Sequence, residues 1–162
     1  MCDEEQVRFI NKEFSSDERM IDDSQDYYVI VPKDPLLFGH IMIIFKHHCE
    51  NLMHAKEEHL QVLNKAVIKW TNVLSKSFED CRNVFLTCLC DSEKVHLHYH
   101  LFPVSNKDKI IRGHGHQWLG AHETISDMKR FDECSLEEKK SRVKYIMEIV
   151  EFLKEKAKIY ST

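Results

Sequence analysis

The chain has 162 residues, of which 43% are hydrophobic and 31% are charged, and its formal net charge is -4. This length and composition support one compact domain, and the negative net charge disfavours bulk binding to nucleic acid. No apolar run reaches the roughly 18 to 20 residues that span a bilayer, and the first residues are acidic where a signal peptide is basic. We therefore expect a cytoplasmic protein with no membrane contact.

The first half of the chain predicts an arm, two strands and a helix. Residues 1–25 are polar, acidic and weakly periodic, and we expect a short helix or an N-terminal arm there. Apolar and β-branched residues over 27–31 and 40–45 predict two strands joined by a proline-containing turn. Apolar residues spaced three and four apart over 54–79 predict a helix with one buried face.

The second half predicts two further strands and a second long helix. Residues 83–89 and 95–102 are strand-like and flank a polar turn, which favours an antiparallel hairpin. Residues 105–134 are polar and irregular, and a capping box at the start of 135–160 opens a helix. Hairpins combined with two long helices predict a single α+β domain on an antiparallel sheet, with its core over 27–104.

Eleven residues are histidine, and three of these alternate along the fourth predicted strand, at His96, His98 and His100. The period of two sends all three to one face and the apolar residues between them to the other. Imidazoles about 6.5 to 7 Å apart suit phosphoryl chemistry, because a neutral ring nitrogen is a nucleophile and protonated neighbours hold phosphate oxygens. We expect His98 to attack phosphorus and the flanking histidines to neutralise developing charge.

Residues 96–102, His-Leu-His-Tyr-His-Leu-Phe, resemble the signature of the histidine-triad (HIT) family, in which histidines alternate with apolar residues. Residues 39–48 support the resemblance, since they are similar to the family's Gly-His strand followed by a K-x-H motif. The resemblance extends over about 27–104. It implies a HIT-like fold whose sheet continues into a second copy as a homodimer, and a nucleotidyl-histidine intermediate that water cleaves.

By position, the resemblance makes His98 the nucleophile, His96 and His100 the flanking phosphate contacts, and His40 a supporting histidine. It implies a hydrolase or nucleotidyl transferase acting at the α-phosphate of a nucleoside 5'-phosphate compound. Dinucleoside polyphosphates and nucleoside phosphoramidates are the expected substrate types, with a purine as the base. The triad itself requires no cofactor.

Two further segments supply candidate nucleotide contacts. Relatives carry Gly-Gln-Ser or Gly-Gln-Thr before the triad, whereas residues 91–94 here are Asp-Ser-Glu-Lys, so Ser92 and Lys94 are the candidates for gripping the phosphate. A plain polar turn is the alternative. Residues 112–123 combine three of the four glycines with three histidines and Trp118. We expect a loop in which Trp118 stacks on the base or the leaving group, and the alternative is that Trp118 packs on the core or the partner subunit.

Two other functions stay open. One is a nucleotide-binding regulatory protein, which is catalytically weak because the turn before the triad is altered. The other is a metal-binding protein. Some HIT relatives hold a structural zinc, and the corresponding positions here are Cys2, Glu5, His48 and His96. A single thiol and two ligands near the N-terminus make this zinc site the minor expectation.

Overall fold

The computed structural model describes residues 18–47, 49, 52–88, 97–105 and 134–160. The elements within these ranges are β1 Met20–Asp23, β2 Tyr27–Ile30, β3 Ile41–Phe45, the 3-10 turn Leu52–His54, α1 Glu57–Ser77, β4 Cys81–Cys88, β5 His98–Ser105 and α2 Leu136–Tyr160. The predicted α+β fold, an antiparallel sheet with two long helices, is confirmed. Neither of the two α-helices in the described ranges is both long enough and apolar enough to cross a membrane.

The five described strands form one sheet in the order β1-β2-β3-β5-β4, and every neighbouring pair is antiparallel. The predicted antiparallel pairing of β4 with β5 is confirmed. Chain order is broken once, because β5 inserts between β3 and β4. This insertion places His100 opposite Met42 and His98 opposite Ile44, so that residues far apart in sequence share one surface.

The first strand differs from the expected helix or arm. Met20–Asp23 pairs with β2 as an edge strand, with one shift in register. The acidic side chains of this strand have basic partners: Asp22 lies 2.8 Å from Nζ of Lys69, and Asp23 lies 2.5 Å from Nζ of Lys46. The acidic segment therefore pairs with the sheet although it lacks the apolar alternation that identifies strands in a sequence.

Both helices pack on one face of the sheet and form the main core with it. Their buried residues are Leu63, Ala66, Trp70, Val73 and Leu74 of α1, and Ile146, Ile149, Val150 and Leu153 of α2. They recur at steps of three and four, as the sequence predicts for amphipathic helices. Alternate strand residues, including Val29, Ile41, Ile43 and Leu101, complete the cluster. The strand side chains that point to the opposite face of the sheet are therefore not covered by these two helices.

The capping box predicted at the start of α2 is present. The backbone N–H of Ser135 donates to Oε2 of Glu138 at 2.6 Å, and the backbone N–H of Glu138 donates to Oγ of Ser135 at 3.4 Å. These reciprocal bonds satisfy amide groups that have no partner within the helix. They define where α2 begins.

Gly39 occupies a position that excludes a side chain. Its φ is +93°, and a Cβ atom there would lie 2.7 Å from Cζ of Phe78 and 2.8 Å from Cγ of Pro103. We expect Gly39→Ala to lower the free energy of unfolding by roughly 2 kcal/mol, because an L-residue is strained at this φ and both rings must move. Urea unfolding measures this loss. The control Asn64→Ala, on the exposed side of α1, should change stability by less than about 0.5 kcal/mol, and an equal response of the two variants would contradict the prediction.

Candidate active site

The histidines of β5 lie on the sheet face that does not contact the helices. His98 is 7% exposed and His100 is partly buried, while the apolar residues that alternate with them belong to the main core. The rings of His98 and His100 have centroids 5.1 Å apart and meet nearly edge to face. The predicted alternation therefore holds over the described part of this strand.

His40 reaches the same face from the start of β3. Residues two apart on a strand share a face, so His40 lies on the side of Met42, which pairs with His100. Nε2 of His40 lies 2.8 Å from Nδ1 of His100, and the ring of His40 packs 4.2 Å from that of Phe102. His40 is only 2% exposed. The fold thus brings His40 and His100 into direct contact across 60 residues of sequence.

The partners of His40 determine which of its nitrogens carries the proton. The backbone N–H of Leu36 lies 3.2 Å from Nδ1 of His40, and this nitrogen must be unprotonated to accept the bond. The neutral ring then carries its proton on Nε2, which donates to Nδ1 of His100. His100 in turn carries its proton on Nε2 when neutral. A directed chain of hydrogen bonds therefore runs from Leu36 through His40 to His100.

Burial keeps both of these rings neutral near pH 7. Loss of hydration lowers the pKa of His40 well below 6.5, and the neighbouring His100 adds to the effect. Burial, with a smaller contribution from the charge of His98, lowers the pKa of His100 to about 3. We expected the flanking histidines to be protonated. The structure differs from this at His100, which offers a neutral N–H donor instead of a cation.

A second, smaller apolar cluster lies on the histidine face of the sheet. It consists of Tyr28, Ile30 and Ile44, with Met20 and Met42 packed against it. Strand pairing puts Ile44 opposite His98, so the cluster borders the histidines directly. The face therefore combines an apolar area with adjacent ring nitrogens, a combination typical of small-molecule sites.

The amide of Leu36 is a site group that the sequence analysis did not identify. It lies in the turn between β2 and β3, and backbone donors have no residue-type signature in a sequence. The Gly-His dipeptide was the nearest signal, since Gly39 closes this turn and leads directly into His40.

Most of the other predicted site residues lie outside the described residues. These are His96, the phosphate-contact candidates Ser92 and Lys94, the stacking candidate Trp118, and Cys2, Glu5 and His48 of the minor zinc site. Their assigned roles stay predictions. Within the described ranges, no three or more His, Cys, Asp or Glu side chains are grouped so that they could hold a metal ion.

A profile of the family described as "Protein similar to CwfJ C-terminal" matches residues 6–112, which is more than half of the chain. Among solved structures, a zinc-bound histidine triad family protein from Mycobacterium smegmatis has a TM-score of 0.62 at 13% identity, covering 93% of this chain and 90% of that one. A Hit-like protein involved in cell-cycle regulation from Bartonella henselae has a TM-score of 0.59 at 17% identity, with 85% of each chain covered. No curated protein has a significant match to the sequence.

Two further solved structures share the fold. A hypothetical histidine triad nucleotide-binding protein from Sulfolobus tokodaii has a TM-score of 0.54 at 23% identity, covering 93% of each chain. A uridylyltransferase has a TM-score of 0.58 at 14% identity, covering 94% of this chain but 44% of the other. The chain thus has the fold of these histidine-triad proteins. The match to the family profile shows that the chain belongs to the family of proteins similar to the C-terminal region of CwfJ.

Proposed function

We propose that this protein is a hydrolase or nucleotidyl transferase that acts at the α-phosphate of a nucleoside 5'-phosphate compound, through a covalent intermediate on His98. The observation that carries the proposal is a buried His98 beside the hydrogen-bonded pair His40 and His100, all on one face of the sheet. Two structural neighbours, a hypothetical histidine triad nucleotide-binding protein and a uridylyltransferase, have names that agree with nucleotide chemistry.

His98 is the proposed nucleophile. Its neutral ring nitrogen attacks the α-phosphorus and forms a P–N bond, while the bond from phosphorus to the leaving group breaks and the leaving group keeps the electron pair. The leaving group takes up a proton from water or from a flanking histidine. Water then attacks the same phosphorus, the P–N bond breaks, and His98 recovers its electron pair as the nucleoside monophosphate departs. A second acceptor in place of water gives transfer instead of hydrolysis.

His100 is the proposed hydrogen-bond donor to a non-bridging phosphate oxygen. The chain of bonds from Leu36 through His40 leaves the proton of His100 on Nε2. A donor that is already oriented stabilises developing negative charge without reorganising during the reaction. The supporting role of His40 is therefore to fix the orientation and tautomer of His100, and His96 is proposed as the other phosphate contact.

The remaining contacts of the proposed site extend this assignment. We place the purine base next to His98, on the side of the buried apolar cluster that contains its strand partner Ile44. Ser92 and Lys94 remain our candidates for binding the phosphate, and Trp118 remains our candidate for stacking on the base or the leaving group. No cofactor enters the proposed reaction, and we place the protein in the cytoplasm.

We also propose a homodimer formed through β4. Among the described strands, β4 pairs on one side only, with β5, and its Phe85 and Leu86 are 38% and 46% exposed. An edge strand with exposed apolar residues is a template for pairing with another chain. A second copy paired at this edge would continue the sheet across both subunits.

Pre-steady-state kinetics with adenosine 5'-phosphoramidate and with diadenosine polyphosphates test the proposed reaction. We expect a burst of leaving group stoichiometric with active sites, and a protein adduct of one AMP that is labile to acid, detected by mass spectrometry without acid quenching. The faster substrate identifies the leaving group that the site prefers. Tight AMP binding without an adduct or turnover would contradict the enzyme and favour a nucleotide-binding regulatory protein.

A further inference from the structure

The turn between β2 and β3 is held from outside the site by α2. Arg142, in the second turn of α2, forms an ion pair with Asp34. The two side chains are 20% and 34% exposed, so the pair is more shielded from water than an ordinary surface ion pair. Asp34 is two residues before Leu36, whose amide orients His40.

An aromatic cluster fixes the other end of the same turn. The ring of Phe38 contacts three rings edge to face, with centroids 6.1 Å from Phe78, 5.9 Å from Tyr145 and 5.4 Å from Phe152. Two of these partners, Tyr145 and Phe152, belong to α2. Such contacts add to the stabilisation from buried area. The helix therefore anchors the turn on both sides of Leu36.

The placement of this turn affects the chemistry of His40 because the Leu36 amide distinguishes its two neutral tautomers. In the observed arrangement, Nδ1 accepts from Leu36 and Nε2 donates to His100. The opposite tautomer would set the Nδ1–H of His40 against the N–H of Leu36. Its contact with His100 could be kept, because His100 can carry its own proton on Nδ1 and donate to Nε2 of His40. If the Leu36 amide moves away, the conflict at Nδ1 disappears and the opposite tautomer becomes accessible.

We propose that Arg142 and Asp34 are positioning residues, which hold the Leu36 amide against His40 and so maintain the tautomer through which His40 donates to His100. The effect on catalysis rests on the function proposed above, whereas the effect on the tautomer does not. Neither residue touches the reacting atoms in this assignment. The helix α2, packed on the opposite side of the sheet, thereby contributes to the active site through a single turn.

Arg142→Gln tests the proposal, with Lys140→Gln as the matched control. Lys140 lies two residues away on the same helix, and its ion pair is with Glu137 within that helix. Long-range ¹H–¹⁵N correlation of the imidazole nitrogens shows which nitrogen of His40 carries the proton. We expect only the Nε2–H form in the wild type and in Lys140→Gln, and a mixture of both tautomers in Arg142→Gln. In the same variant, kcat for adenosine 5'-phosphoramidate should fall about 10- to 100-fold with little change in KM.

A second variant keeps the proposal testable if Arg142→Gln does not fold. Asp34→Asn removes the same ion pair from the side of the turn, and the double variant with Arg142→Gln should behave like either single variant. A His40 tautomer unchanged from wild type in folded Arg142→Gln and Asp34→Asn would overturn the proposal, even if kcat fell. Absence of turnover in the wild type would instead contradict the proposed reaction, and the tautomer comparison would still decide the role of the ion pair.

Discussion

Replacing His98 by asparagine is expected to lower the turnover of adenosine 5'-phosphoramidate by about 10⁴-fold or more. Asparagine has no ring nitrogen that attacks phosphorus, so the covalent route is lost and only binding and electrostatic stabilisation remain. The AMP adduct should disappear with the turnover. Initial rates and mass spectrometry of the protein under native conditions measure both effects on the same samples.

The control for this variant is His54→Asn. His54 is exposed in the short 3-10 turn before α1, and its replacement should leave turnover at the wild-type level. The fold of His98→Asn should persist, because the apolar residues of β5 that face the helices are unchanged, and circular dichroism with thermal unfolding checks this. Turnover by folded His98→Asn at a rate close to wild type would show that the nucleophile is a different group.

Elements defined by local pattern were predictable from the sequence. The alternation along β5, the spacing of Leu63, Trp70 and Leu74 in α1, and the Ser135–Glu138 capping box all reflect the geometry of a single strand or helix. Periods of two and 3.6 residues are properties of the segment alone. The sequence was therefore sufficient to recognise the α+β class and the histidine face.

The contact between His40 and His100 was not predictable from local pattern, because it depends on strand order. The predicted pairing of β4 with β5 left the other neighbour of β5 undefined. Only the insertion of β5 between β3 and β4 sets Ile41 opposite Leu101 and brings the two rings together. The family resemblance gave His40 a supporting role, but it did not say which histidine it supports.

The contacts by which α2 holds the turn between β2 and β3 were also not predictable from the sequence. Arg142 and Asp34 are 108 residues apart, and the charged residues of α2 fit an ordinary solvated helix face. β1 was not predicted for a related reason. Its acidic residues make the segment resemble a solvated arm, but in the fold they pair with Lys46 and Lys69. In both cases a charge that a sequence pattern assigns to solvent has a specific partner in the fold.

The buried histidines predict that the protein loses stability as the pH falls from 7.5 to 5. Both His40 and His100 have a folded pKa below the ordinary value of about 6.5, so the unfolded chain binds protons that the folded protein excludes. Their contribution is complete above about pH 6.5, and that of His100 is lost progressively down to its folded pKa of about 3. His100 alone accounts for about 2 kcal/mol between pH 7.5 and 5, and His40 acts in the same direction. Urea unfolding at a series of pH values measures the loss.

The variant His100→Gln separates this effect from the titration of carboxylates, because it removes the ring and leaves every Asp and Glu in place. Its stability at pH 7.5 differs from wild type for reasons of packing, so the quantity to compare is the change between pH 7.5 and 5. That change should be smaller than in the wild type by about 2 kcal/mol. Equal pH dependence in wild type and His100→Gln would mean that His100 titrates near its ordinary pKa in the folded protein. His100 would then be cationic at mildly acidic pH, and the proposed neutral donor to the phosphate would have to be replaced by a charged one.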